Sequence, residues 1–337
     1  MDADELTQSV WDITEDEFPD GSPLGEQAKF LLRYAILAPS SHNSQPWRFA
    51  VRDEAIEISY DETRWLEVAD QDKRELLISI GCALENLCIA AEHFDIGYEI
   101  TYRADEDDDL VSTVTLEPDS EPSSSRPPEL FDELTERYTS HQLFEDQALP
   151  RETRERFRRT IEADDVTLYL IDDPEQKSSI GELQADADEA QMADPAYRKE
   201  LGYWVGTGAL GRSWLMARIG QAVVSHFDLG DREGRKNSKL IERAPVIALL
   251  ATQGDTCTAR VKTGQVFERL ALLASAEGIA VHPLSQILER PETRAALGAG
   301  ADTGEEIPQH LFRLGYVEEE QTHTPRWPLE AVSSTER

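Results

Sequence analysis

Ala38-Pro39-Ser40-Ser41-His42-Asn43-Ser44-Gln45-Pro46-Trp47 joins an apolar, helix-like run, Phe30 to Leu37, to two strand-like runs, Arg48 to Val51 and Ala55 to Tyr60. The bracketing prolines stop the helix, because proline lacks an N–H and pushes its predecessor toward extended geometry. Between them lie hydroxyl and amide side chains, which both donate and accept hydrogen bonds. Such a set suits the polar edge of a flat heteroaromatic ring. By local composition alone, the segment equally describes a helix stop followed by a turn.

The surrounding chain narrows the choice. Its 337 residues are 39% hydrophobic, with 6 Trp, 9 Tyr and 10 Phe, enough for a sizeable core. Asp and Glu number 67 against 33 Lys and Arg, a formal net charge of −34. The acids are spread along the chain. Such a surface repels itself at low ionic strength, and at 1 M salt the screening length falls to about 3 Å. The charge therefore predicts a halophilic, cytoplasmic setting, with an ordinary acidic mesophile protein as the alternative. It argues against nucleic acid and anionic membranes as partners. No apolar run approaches membrane-helix length, Ala244 to Ala251 being among the longest, and the acidic N-terminus lacks a signal pattern. Cys82, Cys88 and Cys257 have neither metal spacing nor a disulfide framework, and the scattered histidines predict no metal site.

Residues 1–24 read as an acidic arm, loose or a single helix. Residues 25–125 read as a first half, and residues 126–337 as a second, with a Pro/Ser-rich linker from Pro118 to Pro128. The first half contains a helix over 25–38, a long helix from Arg74 to Phe94, and strands Tyr98 to Tyr102 and Leu110 to Leu116. The second contains helix-like Pro128 to Arg137 and Thr153 to Ile161, a strand Val166 to Ile171, and an acidic helical stretch Asp173 to Arg198. Strands Pro245 to Thr252 and Leu311 to Tyr316 flank a helix from Gly264 to Glu277. Gly81-Cys82-Ala83-Leu84-Glu85-Asn86-Leu87 aligns without gaps on Gly264-Gln265-Val266-Phe267-Glu268-Arg269-Leu270, and each helix leads to a strand. Internal duplication is the expectation, and chance likeness of two amphipathic helices the alternative.

Read whole, the opening string resembles the signature of the nitroreductase family, and the layout resembles its Acg-like, FMN-binding subgroup. Arg74-Glu75-Leu76, Ser79 to Leu87, Pro308-Gln309 and Arg313-Leu314-Gly315-Tyr316 support the likeness, which covers about residues 28–330. It implies an α+β fold, nitroreductase-like, with a mostly antiparallel sheet flanked by helices in two related halves. Ordinary members are homodimers with FMN sites built across the interface. Here the Pro39, Ser40, Ser41, Asn43 segment occurs once, in the first half. The complementary features fall in the second: Arg137-Tyr138-Thr139-Ser140-His141, the turn Pro283-Leu284-Ser285-Gln286, and Arg326. The resemblance thus implies a monomer acting as a pseudo-dimer, with one complete FMN site and one lost. NAD(P)H would reduce the flavin, and a small electron-poor acceptor, a nitroaromatic or quinone, would follow by a ping-pong mechanism. Ser40, Ser41, Asn43 and Ser285 are the expected ring contacts. Arg137, Thr139, His141 and Arg326 are the expected phosphate contacts. Trp47 reads as a structural wedge. The flavin carries the chemistry, so no catalytic side chain is required. His141 departs from the cation usual at its place, and Ser285-Gln286 from the usual Glu-Gly.

Two rivals remain. A flavin-storing protein would bind FMN without turnover. A nucleotide-binding dehydrogenase would use Gly206-Thr207-Gly208-Ala209-Leu210-Gly211, with Asp228 further on, but that pattern needs a strand before it. Residues 200–235, with Trp204, Trp214 and Met216, read either as a lid over the flavin or as ordinary core. His42 reads as a ligand contact or as a solvent-facing loop residue.

Overall fold

In the computed structural model, residues 6–103, 108–122, 126–161, 165–210, 230–318 and 322–335 are described. The hairpin of β1 (Trp47–Arg52) and β2 (Ala55–Tyr60) turns on Asp53, at φ 52°, and Glu54, the left-handed backbone that tight hairpins use. Trp47, Phe49 and Val51 point into the core, and Arg48 and Arg52 point out, as on a sheet with one covered face. With β3 (Gly97–Tyr102), β4 (Leu110–Glu117) and β9 (Ser333–Thr335), the hairpin forms a sheet of order β3-β4-β2-β1-β9. Only β9 joins parallel. A second, antiparallel sheet has the order β5-β6-β8-β7, from β5 (Thr167–Ile171), β6 (Val246–Thr252), β7 (Ala280–Pro283) and β8 (Ile307–Gly315). β6 is buried at every residue, which explains its unbroken apolar run: both faces of its sheet are covered.

The α+β reading holds, with the antiparallel strands divided between two sheets. Read from β3 and from β7, the first four strands of each sheet follow the same order of appearance in the chain. In each half one long helix, α2 (Arg74–His93) or α7 (Cys257–Ala276), lies between the second and third of those strands. These helices pack on each other more extensively than any other pair except α4 (Pro174–Ala193) with α6 (Gly230–Arg243). Gly81 and Gly264 make the approach possible. A Cβ on either would lie 2.9 Å from the other's Cα, and closer still to the carbonyl oxygen three residues before it, Val261 or Ile78. The contact is reciprocal, so the aligned glycines meet each other.

Helix ends follow local chemistry. Asp70 caps α2, its carboxylate accepting from the N–H groups of Glu75 and Leu76 at 2.9 Å. Asp194 and Pro195 break the acidic stretch into α4 and α5 (Pro195–Gly206), the carboxylate capping and the proline taking the first helical position. Thr256 caps α7, so that helix begins seven residues before the expected Gly264. Pro128 to Arg137 holds two short 3-10 turns, Pro128–Leu130 and Asp132–Leu134, and no α-helix. Over its described residues, 6–24, the N-terminal arm is neither loose nor one helix. Thr7 and Arg326 exchange backbone hydrogen bonds at 2.9 Å, and Trp11 donates to the Thr324 carbonyl. α2 also corrects the membrane expectation in part: it is long and apolar enough to span a bilayer, but 89% of its most apolar 18-residue stretch is buried in protein.

Candidate functional site

The segment after α1 (Leu24–Ala35) makes a compact knot. His42, Asn43 and Gln45 all adopt positive φ, 51° to 52°, a conformation uncommon for residues with side chains and concentrated at functional sites. The surroundings hold it there. Gln45 N–H donates to Ser40 Oγ (2.9 Å), its carbonyl accepts from Arg64 (3.0 Å), and its Oε1 accepts from Trp327 N–H (2.8 Å). Trp47 is fully buried behind it, the wedge its position suggests.

The knot forms one wall of a cavity of about 880 Å³, within the roughly 300–1,000 Å³ of small-molecule and cofactor sites. Of the expected contacts, Pro39, Ser40, Ser41, Asn43, Arg137, Thr139, His141, Pro283, Ser285, Gln286 and Arg326 line it. Both halves of the chain therefore contribute. Leu284 does not line it: the side chain packs into the apolar cluster under the second sheet, and its N–H donates to Leu311.

At one end two guanidiniums converge. Arg326 donates to the Leu37 carbonyl at 3.0 Å, and Arg137 approaches the same oxygen at 3.5 Å. Arg137 lies 3.2 Å from the buried carboxylate of Glu268. Arg326 makes no ion pair among the described residues, and its buried Nε has no hydrogen-bond partner. Burial first, and then the neighbouring Arg137, push Arg326 down to about 9. A cationic pair with one carboxylate between them, in a chain of net charge −34, is a site short of an anion. His323 stacks on Trp11 with ring centroids 4.0 Å apart beside this pair. His141 meets the His282 ring edge-on at 4.4 Å. Thr139 bridges to Val281, tying the basic segment to β7. Fully buried Arg313 donates to the Ser140 and Gln142 carbonyls and to His282 Nδ1, so it fixes the segment's position.

Glu75 organises another part of the cavity lining. Ser41 and Ser285 Oγ donate to its Oε2 at 2.7 and 2.9 Å, and Arg74 donates to its Oε1 at 2.6 Å. Burial opposes its charge, but Arg74, then His310 and Ser41, hold its carboxyl well below the usual carboxylate range. The two hydroxyls expected to meet a ring are thus already committed, and their oxygens are left to accept. Asn43 spends its amide hydrogens on the Ala209 and Pro325 carbonyls, both at 2.8 Å, and its buried Oδ1 has no partner. His42 lines the cavity and is half-buried; burial pushes it to about 4, so it is neutral. His310 lies 3.9 Å from Glu75, with neither ring nitrogen hydrogen-bonded.

Sequence reasoning missed Glu75, His310, Glu289, Trp11 and His323 as lining residues. Glu75 stood inside a quoted motif; the others carried no local signal. α5 runs into Gly206, so a helix and not a strand leads into the glycine-rich segment, which removes the dehydrogenase reading. Of the lid, Trp204 is buried against Leu66, Ala69, Met192 and Tyr197, and Val205 and Leu210 line the cavity. Gly211, Trp214, Met216 and Asp228 lie outside the described residues.

No protein-family model matches the chain. It is similar over most of its length to Mycobacterium tuberculosis (strain H37Rv) proteins. It is 24% identical to "Putative NAD(P)H nitroreductase acg", over 93% of this chain and 97% of that one. It is also 24% identical to the similarly named Rv3131, over 94% and 91%. Among solved structures, the FMN and NADPH-dependent nitroreductase NfnB of a Sphigopyxis strain aligns with 60% of this chain and 96% of its own, at 17% identity and a TM-score of 0.42. Iodotyrosine deiodinase bound to FMN and 3-iodo-L-tyrosine aligns with 58% and 94%, at 14% identity and the same TM-score.

Proposed function

We propose that this protein binds FMN in the main cavity and works as an NAD(P)H-dependent oxidoreductase of nitroreductase type on a small electron-poor acceptor. The observation that carries the reading is the pair Arg137 and Arg326, converging on one carbonyl at the end of a cavity lined by the Ser40–Asn43 knot. A phosphate monoester carries close to two negative charges near neutrality, and bidentate guanidiniums suit it. The orphaned Arg326 Nε and Asn43 Oδ1 are a donor and an acceptor of the kind such a cofactor would use. When bound, FMN would supply the two-electron redox chemistry. The chain's own residues grip and orient: Arg137 and Arg326 on the phosphate, Ser41 and Ser285 as acceptors fixed by Glu75, and the Pro283–Gln286 turn along the ring. The high similarity in coverage to proteins named as nitroreductases supports the same reading.

A duplicated, pseudo-dimeric origin accounts for the matching strand orders and the reciprocal Gly81–Gly264 contact. In that reading the mate of the Glu268–Arg137 pair is Glu85. It accepts from Arg126 at 2.7 Å and from Arg269 at 2.6 Å, so protein cations fill the second place.

The flavin-storage reading draws on one observation, the Asn43 bond to Ala209, which ties the segment after α5 across the cavity. A single experiment separates the two. FMN is added in molar salt, excess is removed by desalting, and the absorbance spectrum is recorded before and after NAD(P)H. Flavin retained near one per chain, then bleached, is the expected result. Retention without bleaching would favour storage, and no retention would overturn both.

A further inference from the structure

We propose that Glu289 is the proton donor of this site, passing the proton on its carboxyl to an acceptor in the main cavity and taking another from solvent through a second cleft. The proposal rests on the oxidoreductase reading above. The second cleft, of about 660 Å³, is lined by Gln71, Asp72, Arg294, Gly298, Pro308 and Glu289 among others. Among the described residues, Glu289 alone lines both this cleft and the main cavity. One carboxyl therefore stands between the two spaces.

Its surroundings keep that carboxyl neutral. From the capping turn and α2 it faces Asp70, Arg74 and Glu75. From α4, Gln191 Nε2 donates to its Oε2, and from α5 the buried Tyr197 phenol faces it. Arg74 is committed to Glu75, and Arg294, at the cleft, to Asp255 at 3.0 Å. Glu289 itself is in no ion pair among the described residues. Burial, and then the charge of Glu75, push it up to about 8, and burial pushes Asp70 to about 7. Glu75 stays ionised while Glu289 keeps its proton, the separation of two nearby carboxyls that acid–base sites use.

The step balances. The acceptor gains two electrons and one hydrogen as a hydride equivalent, originating in NAD(P)H and delivered through FMN. It gains the second hydrogen as the Glu289 proton, whose O–H bond breaks as the bond to the acceptor's oxygen or nitrogen forms. The carboxylate is then reprotonated by solvent in the cleft.

Glu289→Gln preserves shape and removes the proton. Infrared difference spectroscopy of the protein as purified reads the first part without flavin. Two protonated-carboxyl bands are expected in the natural protein, one lost near pH 7 from Asp70 and one lost as pH rises through about 8 from Glu289, and the second is expected to be missing from E289Q. Stopped-flow reoxidation by a quinone, after loading with FMN and reduction with dithionite, reads the second. E289Q, compared per bound flavin, is expected to slow this step roughly 10²-fold, a usual size for general acid catalysis. Ala295→Trp, which fills the cleft, is expected to slow the same step while keeping the Glu289 band. A band lost near pH 8 that persists in E289Q, or reoxidation of E289Q at the natural rate, would overturn the proposal. Failure of the natural protein to retain FMN would instead overturn the oxidoreductase reading, and the infrared titration would still report where the proton sits.

Discussion

Replacing Gly81 by Ala sets two terms of opposite sign against each other. Alanine in a helix interior gains about 1 kcal/mol over glycine by propensity. The added Cβ, however, would meet the Gly264 Cα at 2.9 Å and the Val261 carbonyl closer still, where ordinary contact begins at 3.4 Å. Both obstacles are main chain, so no rotamer change relieves them, and α2 must retreat from α7. Overpacking a close-packed interior costs roughly 1–3 kcal/mol, and a rigid obstacle places this case at the upper figure. The net loss is then about 2 kcal/mol, or roughly 4 °C in Tm at the sensitivity of large domains. The assay is thermal or denaturant unfolding in molar salt, with Gly300→Ala as the control. Gly300 ends α8 (Pro291–Gly300), and a Cβ there meets nothing within 4 Å, so G300A is expected to match or exceed the natural stability. If G81A melts at or above the natural protein, the reciprocal glycine contact is not what sets the helix spacing. Because Glu75, Ser79 and Cys82 of α2 and Phe267 of α7 all line the cavity, G81A is also expected to weaken FMN retention.

Arg326→Ala removes a charged phosphate donor, for which a loss of about 1.5–3 kcal/mol, or some 10- to 150-fold in Kd, is expected by fluorescence titration with FMN. Unchanged affinity would disconnect the arginine pair from the cofactor. Glu75→Gln leaves Arg74 buried without its partner and is expected to cost about 3–5 kcal/mol. The Glu75 carboxyl is held below its unfolded value, so its contribution is present above about pH 4.5 and is lost as pH falls below it. Acid unfolding should therefore be less steep in E75Q than in the natural protein. Glu289 carries the opposite sign. Its raised value means stability lost as pH rises from about 4.5 through about 8, so E289Q should gain on the natural protein at alkaline pH, measured by Tm. Raising KCl from 0.1 M to molar concentrations should raise Tm, since screening relieves the acidic surface; a Tm indifferent to salt would count against the halophilic reading.

Most of the architecture was legible where periodicity is strong. α2 showed a single apolar stripe, β6 an unbroken apolar run, and the Gly81 and Gly264 strings aligned because the same close approach constrains both. Legibility failed where structure depends on partners distant in sequence. β9 is three residues long, and its reason to be a strand is the exposed edge of β1. Pro128 to Arg137 has the composition of a helix but is held as 3-10 turns while Arg137 reaches Glu268. At the site, the residues of the knot were visible as a motif, but their commitments were not. The Ser41 and Ser285 hydroxyls turn to Glu75, a residue whose sequence neighbours say only that it begins a helix. Glu289 follows a turn as any exposed glutamate would, and its neutral carboxyl is a product of burial, and then of Glu75 and Asp70, brought about by folding.

The strand β9 and the segment carrying Arg326 come last in the order of synthesis among the parts of this site, yet they complete the sheet begun by β1 and the anion end begun by Leu37. A nascent chain on the ribosome can thus build the knot, both long helices and most strands and still present an open cavity. On the FMN reading proposed above, cofactor capture would fall after translation has passed Arg326, and a truncated product that folds in every other respect is expected to emerge colourless.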